Sequence, residues 1–156
     1  MKNLSIVFFI FILISGCNSR KDLGEIIVTH PEPLKKKYKT HEQFIRIAYI
    51  DLFNKTIDPQ RFSGARNIFD SQGDDDLNYR LFVRKLITEA KLQLPPDKVI
   101  KREPDKFIEQ SYLKFFGRYP NGYEKKVLIN DINQIKDSVA DKIYYILMTS
   151  EEYRTF

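Results

Sequence analysis

Two segments of the chain carry the same arrangement of apolar residues at helical spacing. The first consists of Phe44, Ile45, Ala48, Tyr49, Leu52 and Phe53, and the second of Phe107, Ile108, Ser111, Tyr112, Phe115 and Phe116. In both, the residues follow positions i, i+1, i+4, i+5, i+8 and i+9, which places them on one face of an α-helix. We interpret these residues as core, and the repeated spacing predicts two related halves.

The residues before the two stripes have the properties of helix starts. Thr40 and Gln43 have the spacing of a capping box, and Pro104 suits the first turn of a helix. Second helices are predicted from Asp58-Pro59 to near Phe69, and from Asn121-Gly122-Tyr123-Glu124 to about Ile132. A third amphipathic helix closes each half.

The fold class follows from these patterns. Pro95-Pro96 interrupts the helical periodicity between the halves. We therefore predict an all-α, compact domain made of two related three-helix units, the first at residues 41–94 and the second at residues 95–156.

The second half resembles a known type of repeat. It reads FIEQSYLKFFGRYPNGYEKK and, after a loop, VADKIYYILMTSEEYR. This is similar to bacterial extracellular helical repeats of unknown function that are related to phycobilisome-linker domains. The matching positions are Phe107, Tyr112, Gly117, Arg118, Pro120, Ser150, Glu152, Tyr153 and Arg154. The first half has Asn54-Lys55 in place of Gly-Arg and lacks the Ser-x-Glu-Tyr-Arg ending. The resemblance implies an attachment or scaffold module without catalytic residues.

Several motif residues have structural interpretations. Gly117 is expected to adopt a positive φ at a helix end, and Ser150 to begin a short terminal helix. Arg118 is expected to bind helix carbonyls or an acidic side chain of the third helix.

The N-terminus contains the sole cysteine at the end of an apolar run. Lys2 precedes the run Leu4 to Ile14, which is too short to span a bilayer that needs about 20 apolar residues. This is the pattern of a signal peptide over residues 1–16.

The segment Leu13-Ile14-Ser15-Gly16-Cys17 resembles a bacterial lipobox, which implies lipid on Cys17 and cleavage before it. A plain signal peptide with an unrelated cysteine, or an uncleaved anchor, is the alternative. In Gram-negative lipoproteins, Asn18 in place of Asp favours the outer membrane.

Residues 17–40 are interpreted as the lipidated cysteine and a tether. They contain Pro31 and Pro33 and the basic run Lys35-Lys36-Lys37-Tyr38-Lys39. The run either contacts anionic lipid head groups or is a solvated stretch that keeps the linker extended. Removing residues 1–16 leaves 25 Lys and Arg against 21 Asp and Glu, a small excess that, with export, argues against a nucleic-acid partner.

No recognisable catalytic or cofactor motif is present in the sequence. The only histidines are His30 and His41, too few for a zinc site. Asp74, Asp75 and Asp76 form the one dense acidic cluster. Either Asp70, Asp74 and Asp76 bind calcium, although the EF-hand spacing is absent, or, more simply, the cluster favours the N-terminus of the third helix through its dipole. We predict no catalytic residues, no metal and no cofactor.

The excess of aromatic residues suggests an interface. We predict a non-catalytic, membrane-anchored interaction or scaffold lipoprotein with an envelope protein as partner, for example an accessory subunit of an outer-membrane export, assembly or uptake complex. The candidate interface residues are Tyr123, Tyr145, Tyr153, Arg118 and Arg154. The alternative is a protein that binds envelope glycan or peptidoglycan, since tyrosine also stacks on sugars.

Overall fold

The computed structural model describes residues 37–71 and 73–155, and in these residues the named elements are all helical. The helices are α1 (His41–Phe53), α2 (Pro59–Ser71), α3 (Asp75–Ala90), a short 3₁₀ helix (Lys91–Gln93), α4 (Asp97–Arg102), α5 (Pro104–Phe116), α6 (Gly122–Gln134), α7 (Val139–Met148) and α8 (Glu151–Arg154). The predicted all-α fold class is confirmed. Cys17 and the signal peptide lie outside the described residues.

Several helices begin and end for the reasons that the sequence gives. At α1, the Gln43 N–H donates to Thr40 Oγ1 at 3.2 Å and the Thr40 N–H donates to Gln43 Oε1 at 2.9 Å, which completes the predicted capping box. At α6, Asn121 and Glu124 form a second capping box. Gly117 ends α5 with φ 65°, as predicted.

The element order is similar in the two halves. Helices α1 and α2 have 13 residues each, as do α5 and α6, whereas α3 has 16 residues and α7 has 10. Within each half, the three helices contact one another, and α3 packs on α7 to join the halves. The short α4 was not predicted, and it contacts both α5 and α7.

Both predicted stripes face the core. Five residues of each stripe are buried: Phe44, Ile45, Ala48, Tyr49 and Leu52 in α1, and Phe107, Ile108, Ser111, Tyr112 and Phe115 in α5. The sixth position, Phe53 or Phe116, lies at the core edge and is only partly buried. These two residues, also predicted as core, pack against the core from the last position of their helices.

Tyr153 of α8 lies between the first helices of the two halves. Its ring centroid is 5.6 Å from that of Phe44 in α1 and 5.8 Å from that of Phe115 in α5, both edge-on. Only 1% of the residue is exposed. The assignment of Tyr153 to an interface is therefore wrong, since the side chain is a core contact between the halves.

The residues just before α1 are bound to the C-terminal residues. Tyr38 and Thr155 form an isolated antiparallel β-bridge, and the Lys39 N–H donates to the Arg154 carbonyl at 2.8 Å. The Lys39 ammonium also donates to the Tyr153 and Thr155 carbonyls. We call this arrangement of residues 38–39 on residues 153–155 the terminal clasp. The predicted tether, residues 17–40, thus ends in residues that belong to the folded domain.

A polar contact fixes Tyr153 at the base of the clasp. The Tyr153 hydroxyl donates to Asp51 Oδ2 of α1 at 2.6 Å. Burial raises the pKa of the Asp51 carboxyl above its usual range, and the Tyr153 hydrogen bond and the charges of Lys114 and Lys39 offset part of that rise. Burial likewise lowers the pKa values of Lys39 and Lys114.

We expect Tyr153→Phe to lower the free energy of unfolding by about 1–3 kcal/mol, because the half-buried Asp51 loses a hydrogen bond while the ring is kept. Urea unfolding measures the change. Tyr123→Phe, on an exposed ring, is the matched control and should have no effect. An unchanged midpoint for Tyr153→Phe would show that the hydroxyl contributes nothing.

The raised pKa of Asp51 predicts a specific pH dependence. The native state holds the Asp51 proton more tightly than the unfolded chain, so ionisation of this group costs stability above its native pKa. That cost is relieved as the pH falls through the native pKa toward the unfolded value of about 3.9. Asp51→Asn keeps an acceptor for Tyr153 and removes the charge. The difference in stability between wild type and Asp51→Asn should therefore shrink on acidification in this window. A difference that is constant with pH would contradict the assignment.

Candidate functional site

Arg118 binds two glutamates from different helices at the turn between α5 and α6. Its Nε and Nη2 atoms donate to Glu152 of α8, both at 2.7 Å. Its Nη1 and Nη2 atoms donate to Glu124 of α6 at 2.9 and 2.7 Å, and Nη1 also donates to the Tyr119 carbonyl. The acids come from α6 and α8, not from the third helix as predicted.

The charges in this arrangement stabilise one another. Hydrogen bonding to Arg118 holds the pKa of the Glu124 carboxyl below its usual range, and the two glutamates raise the pKa of Arg118. Glu124 also accepts the Asn121 N–H at 2.7 Å, so the ion pair and the α6 capping box share a carboxylate. Each donor nitrogen of Arg118 already has a partner. Arg118 therefore holds the turn in place more than it offers donors to another molecule.

Two tyrosines beside Arg118, Tyr119 in the turn and Tyr123 in the first turn of α6, are exposed to solvent. Tyr119 is 66% exposed and Tyr123 is 78% exposed. Val127, also exposed, follows Tyr123 by four residues and lies on the same face of α6. We call Tyr119, Tyr123 and Val127 the tyrosine patch. Its backbone is fixed from both sides, by the left-handed Gly117 and by the capping box at Asn121.

Tyr145 lies on a different surface, in a groove where α3 packs on α7. The groove has a volume of about 910 Å³ and is also lined by the last turn of α6 and residues 135–137. The Arg84 guanidinium of α3 lies 5.7 Å from the centroid of the Tyr145 ring, a cation–π contact across the groove. Tyr145 is half-buried, so it both lines the groove and packs against the core.

Arg154 is committed within the domain. Its Nη1 atom is 3.0 Å from Asp76 Oδ1, and its guanidinium lies 5.3 Å from the Tyr79 ring centroid. The side chain is mostly covered. Its charge joins α8 to the first turn of α3, and the assignment of Arg154 to an interface stays a prediction.

The acidic cluster serves the start of α3. Asp74 accepts the Leu77 N–H at 3.1 Å as the N-cap, and Asp75 lies 3.4 Å from His41 Nε2. Asp76 binds both Arg80 and Arg154. Of the two interpretations, the structure supports helix stabilisation. Within the described residues, no group of three or more His, Cys, Asp or Glu side chains is arranged to hold a metal ion.

The groove is the feature that sequence reasoning missed. It is formed by residues distant in the chain, and only Tyr145 had been singled out among them. The long-range partners Asp51 and Lys39 were also missed, because each stands in an ordinary polar position of its own segment.

Comparisons of the chain with models of protein families, with characterised proteins and with solved structures found no significant match. The likeness of the second half to extracellular helical repeats therefore stays a prediction from the residues. No helix in the part of the chain that the structure describes is long and apolar enough to cross a membrane.

Proposed function

We propose that the mature protein is a non-catalytic lipoprotein of the cell envelope that holds a protein partner at the membrane surface. The lipid on Cys17 provides the attachment, and the folded domain from residue 38 onward provides the contact. The Asn18 that follows Cys17 favours the outer membrane. A partner in an outer-membrane export, assembly or uptake complex fits this position.

The observation that carries the proposal is the exposure of Tyr119 and Tyr123 on a rigid turn. Exposed tyrosines contribute large contact areas with few rotatable bonds, and residues of this type dominate protein interface hot spots. The hydrogen bonds of Arg118 to Glu124 and Glu152 already order the turn in the free domain, which lowers the entropy cost of binding.

The positions of the charged residues also support a holding role. The residues that sequence reasoning considered for metal chemistry, Asp74, Asp75 and Asp76, cap and brace α3. The tether keeps the domain near the membrane, which raises its effective concentration toward a membrane-bound partner.

Lipidation is the first prediction of this proposal. Cells that express the wild type should incorporate a palmitate analogue into the protein, whereas Cys17→Ala should not, because the lipid is attached through the only thiol of the chain. Gel fluorescence of the labelled protein measures this. Label that persists on Cys17→Ala, or a wild type that takes none, would refute the anchor.

The tyrosine patch is the second prediction. Tyr119→Ala with Tyr123→Ala should abolish co-purification of the partner from detergent-solubilised membranes, since each hot-spot truncation costs about 2 kcal/mol or more. Circular dichroism should show an unchanged fold, because both rings are exposed. The matched control is Leu92→Ala, which removes a fully exposed apolar side chain elsewhere on the domain. The assignment of the patch is wrong if the tyrosine variant keeps its partners, or if Leu92→Ala loses them equally.

A further inference from the structure

The groove between α3 and α7 has a wall that is fixed by a separate helix. Asp97 of α4 accepts the Val139 N–H at 2.9 Å, and the Lys101 ammonium, also from α4, donates to the Lys136 carbonyl at 3.0 Å. Between these two attachment points, Ser138 adopts the left-handed region at φ 54° without capping α7 through its side chain. A non-glycine residue in this region is an uncommon conformation that the surroundings must impose. The wall at residues 135–137 is therefore preformed.

The groove combines apolar and polar surface in a particular way. Ile87, Ile135 and Ile146 contribute apolar area. Asp141 lies one turn before Tyr145 on α7, and Asp131 lies on α6. Among the described residues, neither carboxylate has an ion-pair partner within 4.0 Å or a side-chain hydrogen bond, and both are half-buried. Their oxygens are available as acceptors beside an apolar floor.

The charges along the groove restrict its ligand. Arg84, Lys136 and Lys142 line it together with Asp131, Asp137 and Asp141, so the formal charges cancel. Lys142 is already paired with Asp137 at 3.4 Å, and the other charges of the lining are of both signs, so an ion of either sign gains no net attraction from the lining as a whole. An apolar helix would bury these charged groups without hydrogen bonds, which is costly. A neutral chain of hydroxyl groups avoids both costs, because hydroxyls donate to carboxylates and accept from guanidinium and ammonium groups.

We propose that this groove binds a neutral oligosaccharide. The apolar faces of sugar rings pack on Ile135, Ile146 and Tyr145, while hydroxyl groups donate to Asp131 and Asp141 and accept from Arg84. The volume of about 910 Å³ suits a ligand of a few sugar rings. This inference goes beyond the holding of a protein partner and uses a surface other than the tyrosine patch, so either proposal can fail alone.

The test is NMR titration of the full mature chain in a detergent that has no sugar head group. Methyl-labelled isoleucines report directly, because Ile87, Ile135 and Ile146 line the groove, while Ile50 is exposed on α1 and serves as an internal control. The probes are the trisaccharides of β-1,4-linked N-acetylglucosamine, β-1,4-linked glucose, α-1,4-linked glucose and β-1,4-linked mannose. At least one should shift the Ile135 and Ile146 methyl signals without moving Ile50.

Variants establish the contacts. Three variants should each weaken binding of that probe by about tenfold or more: Asp131→Asn, Asp141→Asn and Tyr145→Ala. A loss of this size is expected when one hydrogen bond to a charged group, or one contact with the ring, is removed. The asparagine variants keep the side-chain shape, so a folding defect of Tyr145→Ala does not decide the outcome. Tyr123→Ala, at the tyrosine patch, is the matched control and should bind as the wild type does.

Several results would overturn the proposal. One is that none of the four trisaccharides moves the groove methyls. Another is that a probe does so and all three groove variants bind it normally. A third is that dextran sulfate or oligolysine shifts the same methyls more than any trisaccharide does, which would assign the groove to a charged ligand. A fourth is that Tyr145→Ala releases protein partners while no trisaccharide binds, which would assign it to a protein.

Discussion

The contact that joins the two halves at the α8 end of the domain is the side chain of Tyr153. Its ring packs edge-on against Phe44 of α1 and Phe115 of α5, and its hydroxyl donates to Asp51. Its carbonyl accepts the Lys39 ammonium, so the terminal clasp depends on the same residue. Helix α8 has only four residues and cannot be stable by itself. It is fixed by this buried tyrosine, by the Ser150 cap and by the ion pairs of Glu152 and Arg154.

Local chemistry predicts the first and second helices of each half and several of their ends, but not the short α4. The capping boxes at Thr40 and Asn121 and the proline at position 104 act within a few residues, so the sequence shows them directly. The exchange of Gly117 for Asn54 between the halves is informative here. Asn54 ends α1 with φ 53° and Gly117 ends α5 with φ 65°. Asparagine tolerates this region better than other side chains, so the departure from the repeat pattern keeps the same helix ending.

The burial of a single residue is harder to predict from the sequence, because it depends on which other helices pack against that residue. Tyr123, Tyr145 and Tyr153 are one residue type on three helices, and they are exposed, half-buried and buried in turn. Their own segments do not distinguish them. Tyr153 is buried because α1 and α5 converge on α8, and Tyr145 is covered in part because Arg84 comes from α3. Such contacts link residues that are far apart in the chain, and neither the stripe spacing nor the motif resemblance encodes them. The groove escaped prediction for the same reason.

The α6–α7 connection shows where the local rules stop applying. Helix α6 begins by the ordinary means, with Asn121 accepting the N–H groups of Tyr123 and Glu124. Helix α7 has a serine in the same cap position, a residue that normally supplies such a bond. Ser138 supplies none, since it is left-handed, and the first N–H of α7 is bound instead by Asp97 from α4. The N-terminus of α7 is therefore capped by Asp97 of another helix and not by the adjacent Ser138.

Exceptions of this kind concentrate at functional positions. Here the exception holds residues 135–137 at the groove, which Arg84 of α3 also lines. Arg84 lies eight residues, about 12 Å along α3, from Asp76, which binds Arg154 of α8. The contact of α3 with α8 and the proposed ligand groove therefore lie on separate parts of the same helix.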